Sequence, residues 1–165
     1  MDYDQISHDQ LAQGYRSGVK WFFWIAGLTI ITSLITFFGG GIRFLISLGV
    51  TQFMDAIAAV AAKDIGGAVQ VVALVLDLIV TGVFVLFGYL AGKKMLWAYI
   101  VGMVVFLLDG LLSLAMMDII GVIAHAVVLF FLFRGFQAGQ QLISLEKLMA
   151  EQAAAAATAQ QPASY

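Results

Sequence analysis

The sequence predicts an all-α integral membrane protein with four transmembrane helices and one amphipathic helix lying in the membrane interface. Three observations carry this. Of the 165 residues, 62% are hydrophobic and only 11% charged, against roughly 45–50% and about 25% in ordinary soluble domains. A globule of this size exposes too much of its surface to hide so much apolar area, and a lipid solvent removes that difficulty. Second, four apolar runs approach the length of about 20 helical residues that a hydrocarbon core of ~30 Å requires. Third, the basic residues divide unevenly between the loops that these runs define. The length suits one domain.

The first run, 21–38, opens at Trp21 and ends before Gly39-Gly40-Gly41, which reads as a turn. The second, 68–90, stops at Gly92-Lys93-Lys94. The third covers 95–117, and the fourth covers 119–136, closing on Arg134-Gly135-Phe136. In lipid every backbone polar group must be satisfied inside its own segment, so each run is expected to be helical. The only proline, Pro162, lies in the tail, so no span carries a proline kink.

Between the first two spans, 42–63 is apolar in a different way. Ile46, Val50, Phe53, Ile57 and Val60 recur at helical spacing, while Arg43, Ser47, Thr51, Asp55 and Ala62 occupy the opposing arc. That is the pattern of a helix in the interface or across the end of a bundle. A fifth crossing is the alternative, and it would put Gln52 and Asp55 at mid-membrane.

With four spans, Arg16, Lys20, Lys93, Lys94, Arg134 and Lys147 fall on one side and only Arg43 and Lys63 on the other. The positive-inside rule then puts both termini in the cytoplasm. Trp21, Trp24, Trp97 and Tyr99 are expected just inside that edge as an aromatic belt. The segment before Trp21 is too long and acidic for a signal-peptide leader, so the first run is expected to be retained. The organisation predicted is a cytoplasmic N-terminal segment (1–20), a four-helix membrane domain (21–136), and a cytoplasmic helical extension and tail (137–165). In the extension, Leu142, Leu145, Leu148 and Met149 form a weak apolar stripe, alanines at 153–157 favour helix, and 160–165 is expected to fray.

Composition and motifs exclude several function classes. A net charge of −2 gives no reason to expect nucleic acid as a partner. There are no cysteines, hence no disulfide, iron–sulfur cluster or thiolate zinc site. Nucleophile elbow, phosphate loop and His-Glu-x-x-His are all absent from the sequence, so neither an enzyme nor a cofactor is expected. Gly82, Gly88, Gly102 and Gly110 are expected to be close-packing sites, and Lys93-Lys94 to set topology.

Three ionisable residues fall inside spans: Asp77, Asp109 and His125. Such groups cost about 2.5–3.5 kcal/mol each on insertion scales and therefore turn inward and find partners. If the third and fourth spans form a hairpin turning near Met117, Asp109 and His125 lie equally far from that turn and come level, with Asp77 at nearly the same depth. Thr81, Ser113 and Ser33 share the predicted layer, along with Thr29, Thr36 and Gly121. Three uses of this layer stay open: a hydrogen-bonded cluster that fixes helix register, a proton or cation pathway with His125 as relay, and a metal site of two carboxylates and an imidazole.

Trp97-Ala98-Tyr99-Ile100-Val101-Gly102-Met103, Leu108-Asp109-Gly110-Leu111, His125-Ala126 and Phe133-Arg134-Gly135-Phe136 resemble the C-terminal half of small uncharacterised polytopic bacterial inner-membrane proteins, over about 93–136. The resemblance implies a bacterial inner-membrane protein and carries over no activity and no catalytic residue. The function expected is that of a structural or accessory subunit of a larger membrane assembly. A small oligomeric proton- or cation-coupled transporter or channel is the alternative. The expected partners are the bilayer and other membrane subunits, or a second copy of the chain.

Overall fold

The structure is a computed structural model and describes residues 3–38, 49–51, 53, 54, 57, 58, 60 and 68–159. Four long helices dominate it: α1 (Tyr3–Phe37), α2 (Ala68–Gly92), α3 (Leu96–Ala115) and α4 (Ile119–Ala159). All four are long and apolar enough to cross a membrane. Their outward faces are covered with large apolar side chains such as Val72, Ile79, Leu108 and Ile123, as lipid-facing helices require.

Two tight turns make α2–α3 and α3–α4 antiparallel hairpins. Each turn closes with the same backbone pattern. Lys94 N–H donates to the Ala91 carbonyl and Met95 N–H to that of Leu90, while Met117 N–H donates to Leu114 and Asp118 N–H to Ser113. Lys94 (φ 61°) and Met117 (φ 57°) occupy the left-handed position of these caps, which satisfies carbonyls that a helix end otherwise leaves open. Asp118 then starts α4, its Oδ1 accepting from the Gly121 amide at 3.0 Å as an N-cap does.

Helices α1 and α4 are longer than their apolar runs. The polar segment before Trp21 continues the same helix as the first span, and Tyr15 and Val19 belong to the same core as Phe22 and Ile25. The extension of α4 packs back on it, with Leu142 only 2% exposed. At that end His8 of α1, Lys94 of the first turn and Glu146 of α4 converge. Lys94 Nζ donates to both Glu146 oxygens at 2.5 and 2.7 Å, and His8 Nε2 is 3.2 Å from Oε1. The Lys94 ammonium holds the Glu146 carboxyl below its usual range, with His8 assisting.

Small residues fix how closely α1 and α4 cross. A Cβ built on Gly18 would lie 2.6 Å from Cα of Gly135, and one on Gly135 would lie 2.6 Å from Cα of Gly18. Gly14 and Gly139 lie level with each other one turn further on the same side, against Ala138 and the Tyr15 ring, so two Gly-x-x-x-Gly faces meet. Beside the crossing Tyr99 is fully buried, donating to the Leu132 carbonyl at 3.0 Å and packing edge-on to Phe22. Tyr99 is therefore a core residue and not part of an interfacial belt, since its hydroxyl finds a protein partner. Trp24 and Trp97 do face outward. Gly88, Gly102 and Gly110 make tight contacts, but a Cβ on Gly82 would meet nothing, because Gly82 lies on the outer face of α2.

Most of 42–63, including Arg43, Ile46, Ser47, Gln52, Asp55 and Ala62, lies outside the described residues, as does the Gly39-Gly40-Gly41 turn. The described positions of this stretch are helical. Phe53, Ile57 and Val60 face outward, whereas Gly49, Thr51 and Ala58 are buried. Three members of the apolar stripe thus point away from the protein, while Val50 packs against the core and Thr51, from the polar arc, points into it.

Candidate functional site

Contacts between the helices set their register and so the levels of the polar side chains. Gly88 of α2 abuts Phe22 of α1, and Phe84 of α2 abuts Phe106 of α3. Carried along the antiparallel pairs, these contacts place Thr29, Thr81, Asp109 and His125 on one level. Ser33, Asp77, Ser113 and Gly121 form a second level one turn, about 6 Å, nearer the α3–α4 turn. All the polar side chains among them are at most 6% exposed. Asp77 therefore lies a turn away from Asp109 and comes level with Ser113. The Thr36 side chain lies outside the described residues.

Asp109 and His125 meet directly. His125 Nε2 is 2.8 Å from Asp109 Oδ2, and each side chain is 4% exposed. Behind it, His125 Nδ1 lies 2.7 Å from the Gly121 carbonyl oxygen, and the ring stacks on Phe106 at 4.6 Å between centroids. Gly110 makes room for this, since a Cβ there would lie 3.1 Å from Cβ of His125.

Two backbone amides complete the carboxylate's shell. Gly49 N–H donates to Oδ2 at 2.7 Å and Val50 N–H to Oδ1 at 2.8 Å. Successive amides that point to a side chain are what the first turn of a helix offers, and they carry the positive end of its dipole. A Cβ on Gly49 would lie 2.6 Å from Ser113 Oγ and 3.3 Å from the Asp109 carbonyl oxygen, so a larger residue there would crowd α3. Asp109 is six residues from the end of α3 at Ala115, so the helical stretch from Gly49 reaches about 9 Å below that end. At such a depth an amide without a partner costs several kcal/mol, and Asp109 removes that cost.

The contacts also fix how many protons the pair holds. A carbonyl oxygen only accepts, so Nδ1 of His125 carries a hydrogen. Nε2 and Oδ2 at 2.8 Å then share one more proton, as imidazolium with carboxylate or as imidazole with carboxylic acid. The pair is neutral in both forms. It links α3, α4 and the helical positions 49–51.

The remaining predicted residues behave differently. Ser113 Oγ donates to the backbone carbonyl of Asp109 at 3.3 Å, and Thr29 to that of Ile25 at 2.9 Å. Ser33 and Thr81 hydroxyls are buried without a hydrogen-bond partner among the described residues. No cluster of three or more metal-ligating side chains occurs among the described residues. Sequence reasoning missed the Gly49 and Val50 amides, because backbone donors leave no side-chain signature. It also missed the meeting of Gly14 and Gly18 with Gly135 and Gly139, although the four-residue spacing of each pair is legible. Compared with models of known families, with curated proteins and with solved structures, the chain has no match in any of the three.

Proposed function

We propose that the chain is a non-enzymatic integral membrane protein, a structural or accessory subunit of a larger assembly in the bacterial inner membrane, with both termini cytoplasmic. One observation carries this reading. Every polar atom of the Asp109–His125 pair is engaged within the chain, by Gly49, Val50, Gly121 and each other. A carrier group must exchange partners as its cargo passes, whereas a pair held by four fixed hydrogen bonds keeps helices in register. The pair acts as a latch, and the stretch that it caps belongs to a helix that dips into the bundle from the interface. The outward apolar faces are then available to lipid and to neighbouring subunits.

The transporter reading keeps some support from the proton that Asp109 and His125 share and from the nearby hydroxyls of Ser33 and Thr81. The two readings separate in one experiment on the Asp109→Asn/His125→Gln variant, purified in mild detergent and reconstituted in liposomes. The latch reading expects the folded variant to keep its co-purifying membrane proteins and to match the wild type in proton flux. A proton flux in wild-type liposomes that the folded variant lacks would overturn it in favour of transport.

A further inference from the structure

Beside the Gly18–Gly135 crossing, α1 and α4 leave a groove whose floor is glycine. Ser17, Gln137, Gln141 and Arg134 line it with hydrogen-bond donors. Through Ser17 it joins a second hollow along α1, lined by Lys20, Trp21, Trp24 and Leu28. The two are also joined by Trp21 stacking on Phe131 at 5.2 Å. The α1–α4 register, set where Gly18 meets Gly135, puts Lys20 within a residue of the level of Arg134. Neither hollow is lined by a carboxylate, and neither cation has an acidic partner among the ion pairs of the described residues. In a chain of net charge −2 this is a local concentration of positive charge.

The hollow changes character along α1. At the Lys20 end it offers charge and amides. One to two turns on, Trp24 (62% exposed) and Leu28 continue it as an apolar wall. A free anion would use the first part only, whereas a phospholipid uses both. We propose that this groove holds one anionic phospholipid, its phosphate between Lys20 and Arg134, its headgroup hydroxyls on Ser17, Gln137 and Gln141, and an acyl chain along Trp24 and Leu28. Basic pockets between membrane helices recognise anionic headgroups by this chemistry, and tryptophan rings sit at the headgroup level.

The test uses the full chain in nanodiscs of mixed phosphatidylglycerol and phosphatidylcholine, with native mass spectrometry reading the lipid that stays bound after release. The wild type is expected to retain one phosphatidylglycerol in preference to phosphatidylcholine. Lys20→Gln/Arg134→Gln should weaken that retention about thirtyfold, taking each basic group near the surface at its usual worth. Lys93→Gln/Lys147→Gln, which removes the same charge elsewhere, should leave retention unchanged. Ser17→Trp keeps both cations but fills the groove, and should displace the lipid from a chain with a wild-type thermal melt. Equal retention of the two lipids, or no loss in the folded Lys20→Gln/Arg134→Gln variant, overturns the proposal. So does displacement of the lipid by millimolar glycerol phosphate, which marks a site for free phosphate, or a dimer crosslinked through Gln137→Cys, which marks the groove as a subunit contact.

Discussion

His125 and Asp109 face each other at 2.8 Å across the α3–α4 hairpin, and the same carboxylate receives the amides of Gly49 and Val50. A single aspartate thus joins three parts of the chain, and substitutions there should be read as the loss of several partners at once.

Asp109→Ala strands Nε2 of His125 and the amides of Gly49 and Val50 without their acceptor or donor. Stranded buried groups cost about 1–3 kcal/mol each, well above the ~0.6 kcal/mol average of one interhelical hydrogen bond in a membrane. Thermal unfolding in detergent should therefore show a large loss for Asp109→Ala. Asp109→Asn should fall between it and the wild type, because the amide accepts from Val50 and donates to His125 but offers Gly49 no second acceptor. Equal stability of Asp109→Ala and wild type would show that these contacts do not hold the fold.

The glycine crossing gives a contrast between two positions of one residue type. Gly135→Ala puts a methyl 2.6 Å from backbone Cα of Gly18, and overpacking of this kind costs about 1–3 kcal/mol. Gly82→Ala meets nothing, and should be neutral or stabilise by up to about 1 kcal/mol through helix propensity. The same thermal melts rank the two. A neutral Gly135→Ala would mean that α1 and α4 do not cross there.

Glu146 makes one end of the bundle sensitive to acid. Its carboxyl is held below the ordinary value of 4.5 by Lys94, so the folded state binds the proton less well than the unfolded chain. The sign follows: the contribution is fully present above the unfolded value and is lost as pH falls through the folded one. The difference in melting temperature between wild type and Glu146→Gln should be positive near pH 7 and shrink as the medium is acidified below the ordinary value of 4.5. The group is partly exposed, so the difference should also shrink in high salt. A gap that widens on acidification would contradict the Lys94 contact.

Much of this architecture is legible in the chain because lipid imposes it. Four apolar runs must be helices, and short connections at Lys93-Lys94 and Met117-Asp118 must make hairpins. Equal distances of Asp109 and His125 from the second turn are enough to bring them level. What is hidden has a physical reason in each case. The continuation of α1 back to Tyr3 depends on packing against α4, which hydropathy of one segment does not register. Tyr99 reads as an interfacial aromatic until the Leu132 carbonyl is known to lie within reach. The stripe of Ile46, Val50, Phe53, Ile57 and Val60 leaves open which side of this stretch meets protein. Thr51 and Gly49 answer that, because close approach to α3 needs small residues and Asp109 needs donors.

The most direct test of the latch is amide hydrogen exchange at Gly49 and Val50, read by NMR on the chain in nanodiscs. Both amides should be protected in the wild type. In Asp109→Ala both should lose that protection, while the Leu112 amide of α3, on the same helix as the substitution, stays protected and reports that the hairpin is folded. Fast exchange at Gly49 and Val50 in the wild type, or protection that survives Asp109→Ala unchanged, would contradict the central claim that this carboxylate binds the three parts of the bundle together.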